Sequence, residues 1–163
     1  MSELIATLLK YLAAALAVAA AFALGYEALK SGNSANHAAD VGVVSGGIAT
    51  LYQAQPNFGS LTTAVAYKYA PARMKGAAGV LVNPWGGAVT YAPDANPVFY
   101  DVTTVQVPDS ECPKLSSALT GWKSLTINGA AFTASSGVDA GNIALACGTP
   151  GNDQNSLTFV FGH

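Results

Sequence analysis

The sequence predicts an α+β fold: a long N-terminal helix whose first half is transmembrane and whose second, amphipathic half packs on an antiparallel β-sheet head. A disulfide-bearing region lies toward the C-terminus. Three observations predict this. From Leu4 to Tyr26 the only charged side chain is Lys10, and no proline interrupts the run. Ala38, Val41, Val44, Ile48 and Leu51 then return at three- and four-residue spacing, which is one apolar helix face. Beyond Gly79, short β-branched and aromatic runs alternate with turn residues, as strands do.

The apolar stretch at the start is long enough for a continuous helix of about seven turns. Three readings compete for it. A cleaved secretion signal carries a positive leading region and a small-residue cleavage site, whereas here the leading charge is Glu3 and the apolar run continues to Glu27. A plain membrane anchor needs about 20 apolar residues, which Ser2 to Tyr26 supply, with Lys10 snorkelling toward an interface. The third reading is an assembly helix, held first in a membrane and then buried in a protein filament. Glu3 favours it, because a carboxylate in lipid is costly unless it has a partner.

Ser31-Gly32-Asn33-Ser34 reads as a kink or a stop, with Asn33 or Ser34 as a cap for the next helix. That helix spans 34–54. Gly42, Gly46 and Gly47 each weaken it by about 1 kcal/mol relative to alanine, so it needs a surface to lie on. Residues 1–30 are thus the hydrophobic helix and 31–163 the globular head. Pro56-Asn57-Phe58-Gly59 ends the amphipathic helix by turn chemistry. Leu61 to Tyr69 fits a short helix through Leu61, Val65 and Tyr69, although Thr62, Thr63 and Val65 also suit a strand. Pro71 closes it, and Arg73 and Lys75 read as a solvated basic loop.

Strands follow at Val80-Leu81-Val82, Ala88 to Tyr91 and Val98 to Val107, the first two separated by Asn83-Pro84-Trp85-Gly86-Gly87. Pro108-Asp109-Ser110-Glu111 starts a helix whose inner face is Leu115, Ala118 and Leu119, with Gly121 as its stop. Asn128-Gly129 between Leu125-Thr126-Ile127 and Ala130-Ala131-Phe132 is the strongest hairpin signal. Asp139 to Cys147 reads as a short helical turn. Leu157, Phe159 and Phe161 alternate along a last strand that returns to the centre of the sheet. An antiparallel sheet laid on a helix is the result.

The chain has 163 residues, and with the hydrophobic helix set aside the head at 31–163 is one domain with a modest core. Charged residues make up only 10% and the net charge is −2, which leaves no basic footprint for nucleic acid. Cys112 and Cys147, an even count in a body placed outside the cytoplasm, read as one disulfide. Chemistry is sparse. His37 and Asp40 share a helix face and read as a surface pair, while His163 is the last residue of the sequence. No Cys/His cluster has metal spacing, and Asp94-Ala95-Asn96 lacks the other oxygen ligands of a calcium loop. Gly86-Gly87 has no phosphate-cradle context, and no G-x-S-x-G elbow occurs. Trp85 and Trp122 read as packed indoles rather than glycan platforms. No active site emerges, no cofactor is expected, and the chain reads as a non-enzyme.

The order of these elements resembles the type IV pilins, and more narrowly the type IVb pilins of the PilS kind. The residues that carry the resemblance begin with Leu51-Tyr52-x-x-x-Pro56-Asn57-Phe58-x-x-Leu61-Thr62 and Asn83-Pro84-Trp85-Gly86-Gly87. Val107-Pro108 before Cys112 follows, then Asn128-Gly129, Cys147 and Ser156-Leu157-Thr158-Phe159. The resemblance implies a major pilin that polymerises into a filament of a Gram-negative bacterium, extracellular once assembled and held in the inner membrane before. It implies a prepilin peptidase and assembly machinery as partners, with Met1 as the mature, N-methylated residue. It leaves a recipient cell, a host surface or a phage as the filament's contact, in adhesion or conjugation. A minor pilin or pseudopilin, or a membrane-tethered adhesin, are the alternatives. The family's glutamate stands at the fifth helix position, where this sequence has Ile5. Glu3 takes over its role in this reading, compensating a neighbour's positive N-terminus. Lys10, seven residues on and near the same face, is the expected intersubunit partner of Glu3.

Overall fold

Helix α1 runs from 32 to 52 and turns one apolar face inward. The structure is a computed structural model that describes residues 32–134, 139–148 and 153–162. The chain divides into two units, Met1–Asn33 and Ser34–His163, and among the described residues the strands lie in the second. After α1 come α2 (Thr63–Tyr69), two 3₁₀ turns (Ala72–Met74 and Ala77–Gly79), β1 (Leu81–Val82), β2 (Ala88–Pro93) and β3 (Phe99–Val107). The chain continues with α3 (Cys112–Ala118), β4 (Ser124–Ile127), β5 (Ala130–Thr133), α4 (Ala140–Ala146) and β6 (Asn155–Gly162).

The strands form one antiparallel six-stranded sheet in the order β1-β2-β3-β6-β4-β5. The last strand therefore lies between β3 and β4, as its alternating pattern predicts, and its buried residues are Asn155, Leu157, Phe159 and Phe161. The β4–β5 turn is Asn128-Gly129, both at positive φ (50° and 90°), the geometry that suits a two-residue hairpin. Leu61 to Tyr69 resolves as a helix, because the Thr62 hydroxyl accepts from the Val65 N–H at 3.4 Å and caps it. Asp139 caps α4 in the same way, accepting from Gly141 and Asn142 N–H.

Ala38, Val41, Val44 and Ile48 of α1 are buried in one core with Tyr91, Tyr100, Val102, Leu125, Leu157 and Phe159 of the sheet. Leu51 does not join them. It is 44% exposed, and Tyr52, one position on, fills the place, its phenol oxygen 3.1 Å from Ser60 Oγ. On a 3.6-residue helix both Leu51 and Tyr52 flank the stripe below Ile48, and the longer aromatic reaches the core. Phe58 packs between Tyr52 and Tyr100 with ring centroids 5.2 and 4.8 Å away. Of Gly42, Gly46 and Gly47, only Gly47 is required by packing: a Cβ there would stand 2.6 Å from the Tyr69 ring of α2. In α3 the inner face is Cys112, Leu115 and Ser116, with Leu119 just beyond, while Ala118 is exposed.

Cys112 and Cys147 are bonded, joining the start of α3 to the end of α4 across 35 residues. In the chain-entropy model a loop of that size contributes about 3–4 kcal/mol.

Candidate assembly site

The two faces of α1 differ in kind. The inward face carries four polar residues, Ser34, His37, Asp40 and Ser45, among its apolar ones, and the first three are at most 3% exposed. The first three are accommodated in different ways. Ser34 does not cap a helix, since residues 32–34 are themselves helical. Its hydroxyl instead donates to Glu111 Oε2 at 2.6 Å, and Lys114 Nζ donates to Glu111 Oε1 at 2.9 Å. A carboxylate with no exposed surface is thus met on both oxygens, as a buried charge must be. The contact ties α1 to the residue before Cys112 and so to the disulfide region.

Asp40 and His37 are not a surface pair. Asp40 faces Arg73, whose Nε and Nη2 donate to both carboxylate oxygens at 2.6–2.9 Å. Arg73 stays solvated as expected, with 59% of its side chain in solvent, but its guanidinium also closes over the buried Asp40 carboxylate. His37 has neither ring nitrogen hydrogen-bonded and sits edge-on to Trp85, centroids 5.8 Å apart. Burial pulls its pKa from 6.5 down to about 4, against the smaller upward pull of the Asp40 charge. Lys75 lies over the Tyr67 ring, 5.1 Å from its centroid.

Beneath this seam, Asn83 holds the sheet's irregular edge. Its Oδ1 accepts from the N–H groups of Trp85 (3.1 Å) and Gly87 (2.8 Å). Its Nδ2 donates to Thr104 Oγ1 (2.9 Å) and to the Val105 carbonyl (2.7 Å). All four hydrogen-bonding positions of the amide are spent. The bonds to 104 and 105 grip β3 where its register with β6 shifts and Gln106 takes φ 57°. Gly87 runs against the same backbone, and a Cβ there would collide with the Val105 carbonyl oxygen. The Asn83-Pro84-Trp85-Gly86-Gly87 block is therefore an architectural staple. A second amide pair acts on the far side: Asn128 Nδ2 donates to the Ala146 carbonyl and to Asn155 Oδ1, and Asn155 Nδ2 to the Val107 carbonyl.

The outward face of α1 is Ala35, Asn36, Ala39, Gly42, Val43, Gly46, Ala49, Thr50 and Leu51, with no charge on it and Val43 59% exposed. Its polar groups are few, and the Thr50 hydroxyl is turned back onto the helix, donating to the Gly46 carbonyl at 2.9 Å. Along this face runs a groove of about 530 Å³ between Ala35, Ala39 and Gly42 on one side and Leu119, Thr120 and Phe161 on the other. Met1, Glu3 and Lys10 lie outside the described residues, as does the apolar stretch 4–26. No helix among the described residues is long and apolar enough to cross a membrane. No group of acidic, histidine or cysteine side chains among them could hold a metal. Asp101 does come beside Asp94. Burial raises its carboxyl above the usual 3.8, and the Asp94 charge raises it further. A raised acid weakens the fold above its own pKa, so Asp101→Asn is expected to increase the melting temperature at pH 7 and change nothing at pH 3.

A protein-family model described as PilS N terminal matches residues 31–161, nearly the entire head. The chain belongs to the PilS family of type IVb pilins. The head of this pilin also superposes on the crystal structure of a type IVb pilin from Salmonella typhi with a TM-score of 0.62. That match covers 78% of this chain and 99% of the other at 22% identity, a likeness of fold. No curated protein matches the sequence. Family and fold are those of structural pilins rather than enzymes, and membership implies an extracellular pilus built of copies of one chain.

The blocks that carried the resemblance now have physical roles. Tyr52, Phe58 and Leu61 are core, Asn83 is the staple, and Asn128 locks the last hairpin to α4. Sequence reasoning missed Ser34–Glu111 and Asp40–Arg73, because those partners lie 77 and 33 residues apart. The one signal available was a carboxylate, Asp40, on the same arc of the helix as Val41, Val44 and Ile48.

Proposed function

We propose that this pilin is a major subunit that polymerises into a type IVb filament serving adhesion, cell–cell contact or conjugation. The outward face of α1 carries the reading. A head helix with solvent on one side normally arms that side with charge, and this one presents mainly Ala, Gly, Val and Leu, with no charge at all. Such a face is built to be covered by other copies, whose small residues permit close helix approach. Residues 1–30 act as the assembly helix, resident in the inner membrane before it is buried in the filament. Met1 is the processed, N-methylated end, and Glu3, with Lys10 of a neighbour, replaces the family glutamate.

Electron microscopy of sheared surface filaments tests this. The wild-type chain is expected to be the main protein of the fibres, which a minor or tip subunit would not be. Val43→Glu, which puts a charge on the covered face, and Glu3→Ala are each expected to reduce fibre yield at least about tenfold, the like of a 1.4 kcal/mol loss or more per added subunit. Normal fibres from Val43→Glu would overturn the role of this face, and normal fibres from Glu3→Ala the role of Glu3.

A further inference from the structure

The most exposed large apolar side chain among the described residues is Leu145 of α4, at 80%. A single exposed leucine is ordinary, but this one is firmly mounted. Cys147, two residues on, is bonded to Cys112, and the intervening Ala146 carbonyl accepts from Asn128 Nδ2 at 2.9 Å. Ile143, the buried residue of α4, fixes which way the helix faces. At about 100° per residue Leu145 lies about 200° round from it, so it points away from the core. After its cap, Asp139, the helix carries no charge, and Ala144 beside Leu145 is exposed as well. An apolar knob is held out on a braced helix.

The same head carries a hollow of matching chemistry. No charged residue lines the groove beside α1. The core breaks the surface there: Ala38 and Phe161, each 8% exposed, are its two most exposed members, and both line the groove. Gly42 lines it too, and a Cβ at that position would meet nothing within 4 Å. The space is thus left open by a residue with no side chain. Leu145 does not fill the groove of its own chain. Leu119 and Thr120, which line the groove, share a smaller hollow with Ile143, so the Ile143 side of α4 is the one toward it. Leu145 is on the opposite side.

We propose that Leu145 of one copy seats in this groove on the next copy. The inference rests on the polymerisation argued above and names a contact within it. The occupant is a second copy because the family's pilus is built of copies of one chain, and because knob and groove are both uncharged. Two different patches facing different ways make a head-to-tail contact, which leaves a free knob and a free groove for the next addition. Seating the leucine removes apolar surface from water on both copies at once.

Filament yield from cells expressing the full chain tests this, with thermal melting of each variant as the folding control. Leu145→Glu, at an exposed position, is expected to melt like wild type and to lose at least about tenfold in yield. Gly42→Leu fills the groove from within its own chain. It is expected to raise the melting temperature, because glycine is the poorer helix former, and still to lose yield. A benzophenone side chain placed at position 145 reports the occupant directly. Irradiated filaments should run as a ladder of covalent multimers joined to peptides containing 35–42 or 118–120. Wild-type yield from either substitution would overturn the contact, and so would cross-links that fall outside the groove. Reduced yield from Val43→Glu with normal yield from Leu145→Glu would overturn this contact alone and leave the polymerisation reading standing. Absence of this chain from the fibres of wild-type cells would overturn that reading, and the contact with it.

Discussion

Asn83→Ala is expected to destabilise the head by about 3–5 kcal/mol, a large share of what a domain this size has to lose. The side chain is 4% exposed, and its removal strands two backbone N–H groups, one carbonyl and one hydroxyl at once. The bulge in β3 would then lose its outside support, and the register of β3 on β6 beyond Thr104 with it. Denaturant titration of the reduced and oxidised heads separates this effect from that of the disulfide. A loss below about 1 kcal/mol would mean that the staple is not what holds the bulge.

Acid is expected to cost the head about 3 kcal/mol through His37 alone. Above pH 6.5 the imidazole is neutral in both folded and unfolded chains and contributes no pH dependence. Below that value the unfolded chain takes up a proton that the folded chain refuses until about pH 4. Stability therefore falls as pH drops through this window and levels off beneath it. Two effects shape the outcome: burial of the ring disfavours the proton, and the Asp40 charge on the same helix favours it less strongly. His37→Leu is expected to keep its neutral-pH stability, since the imidazole makes no hydrogen bond there, and to flatten the decline between pH 6.5 and 4. Carboxylates also titrate in this range, so the comparison of the two chains is the measurement. Equal slopes in wild type and His37→Leu would show that the buried ring is not the sensor.

For a filament subunit this has a practical side. His37 and Asp40 sit on the inward face of α1, and the face proposed for assembly is the opposite side of the same helix. Loosening the seam in acid would move the surface that other copies read, so fibre yield and head stability are expected to fall together.

What the sequence determined by itself was whatever depends on near neighbours in the chain. The 3.6-residue stripe from Ala38 to Ile48, the Asn128-Gly129 turn and the period-two pattern of the last strand are local signals. Each formed in place because local propensity and burial agree. The uncharged outward face of α1 was equally legible, since it is the complement of the buried stripe. Only the tertiary structure decided which polar groups are interior. His37 and Asp40 read as a surface pair because nothing near them in the chain says that Trp85 and Arg73 will close over them. Glu111 reads as part of a helix start because Ser34, 77 residues away, gives no sign of itself. Asp94 and Asp101 are seven residues apart in sequence, yet it is the β2–β3 pairing that brings two like charges together. The physical reason is the same throughout. Apolar burial repeats with the period of its own element and leaves a pattern in the sequence, whereas a buried polar contact is one pair, made once, across a distance that only the finished fold spans.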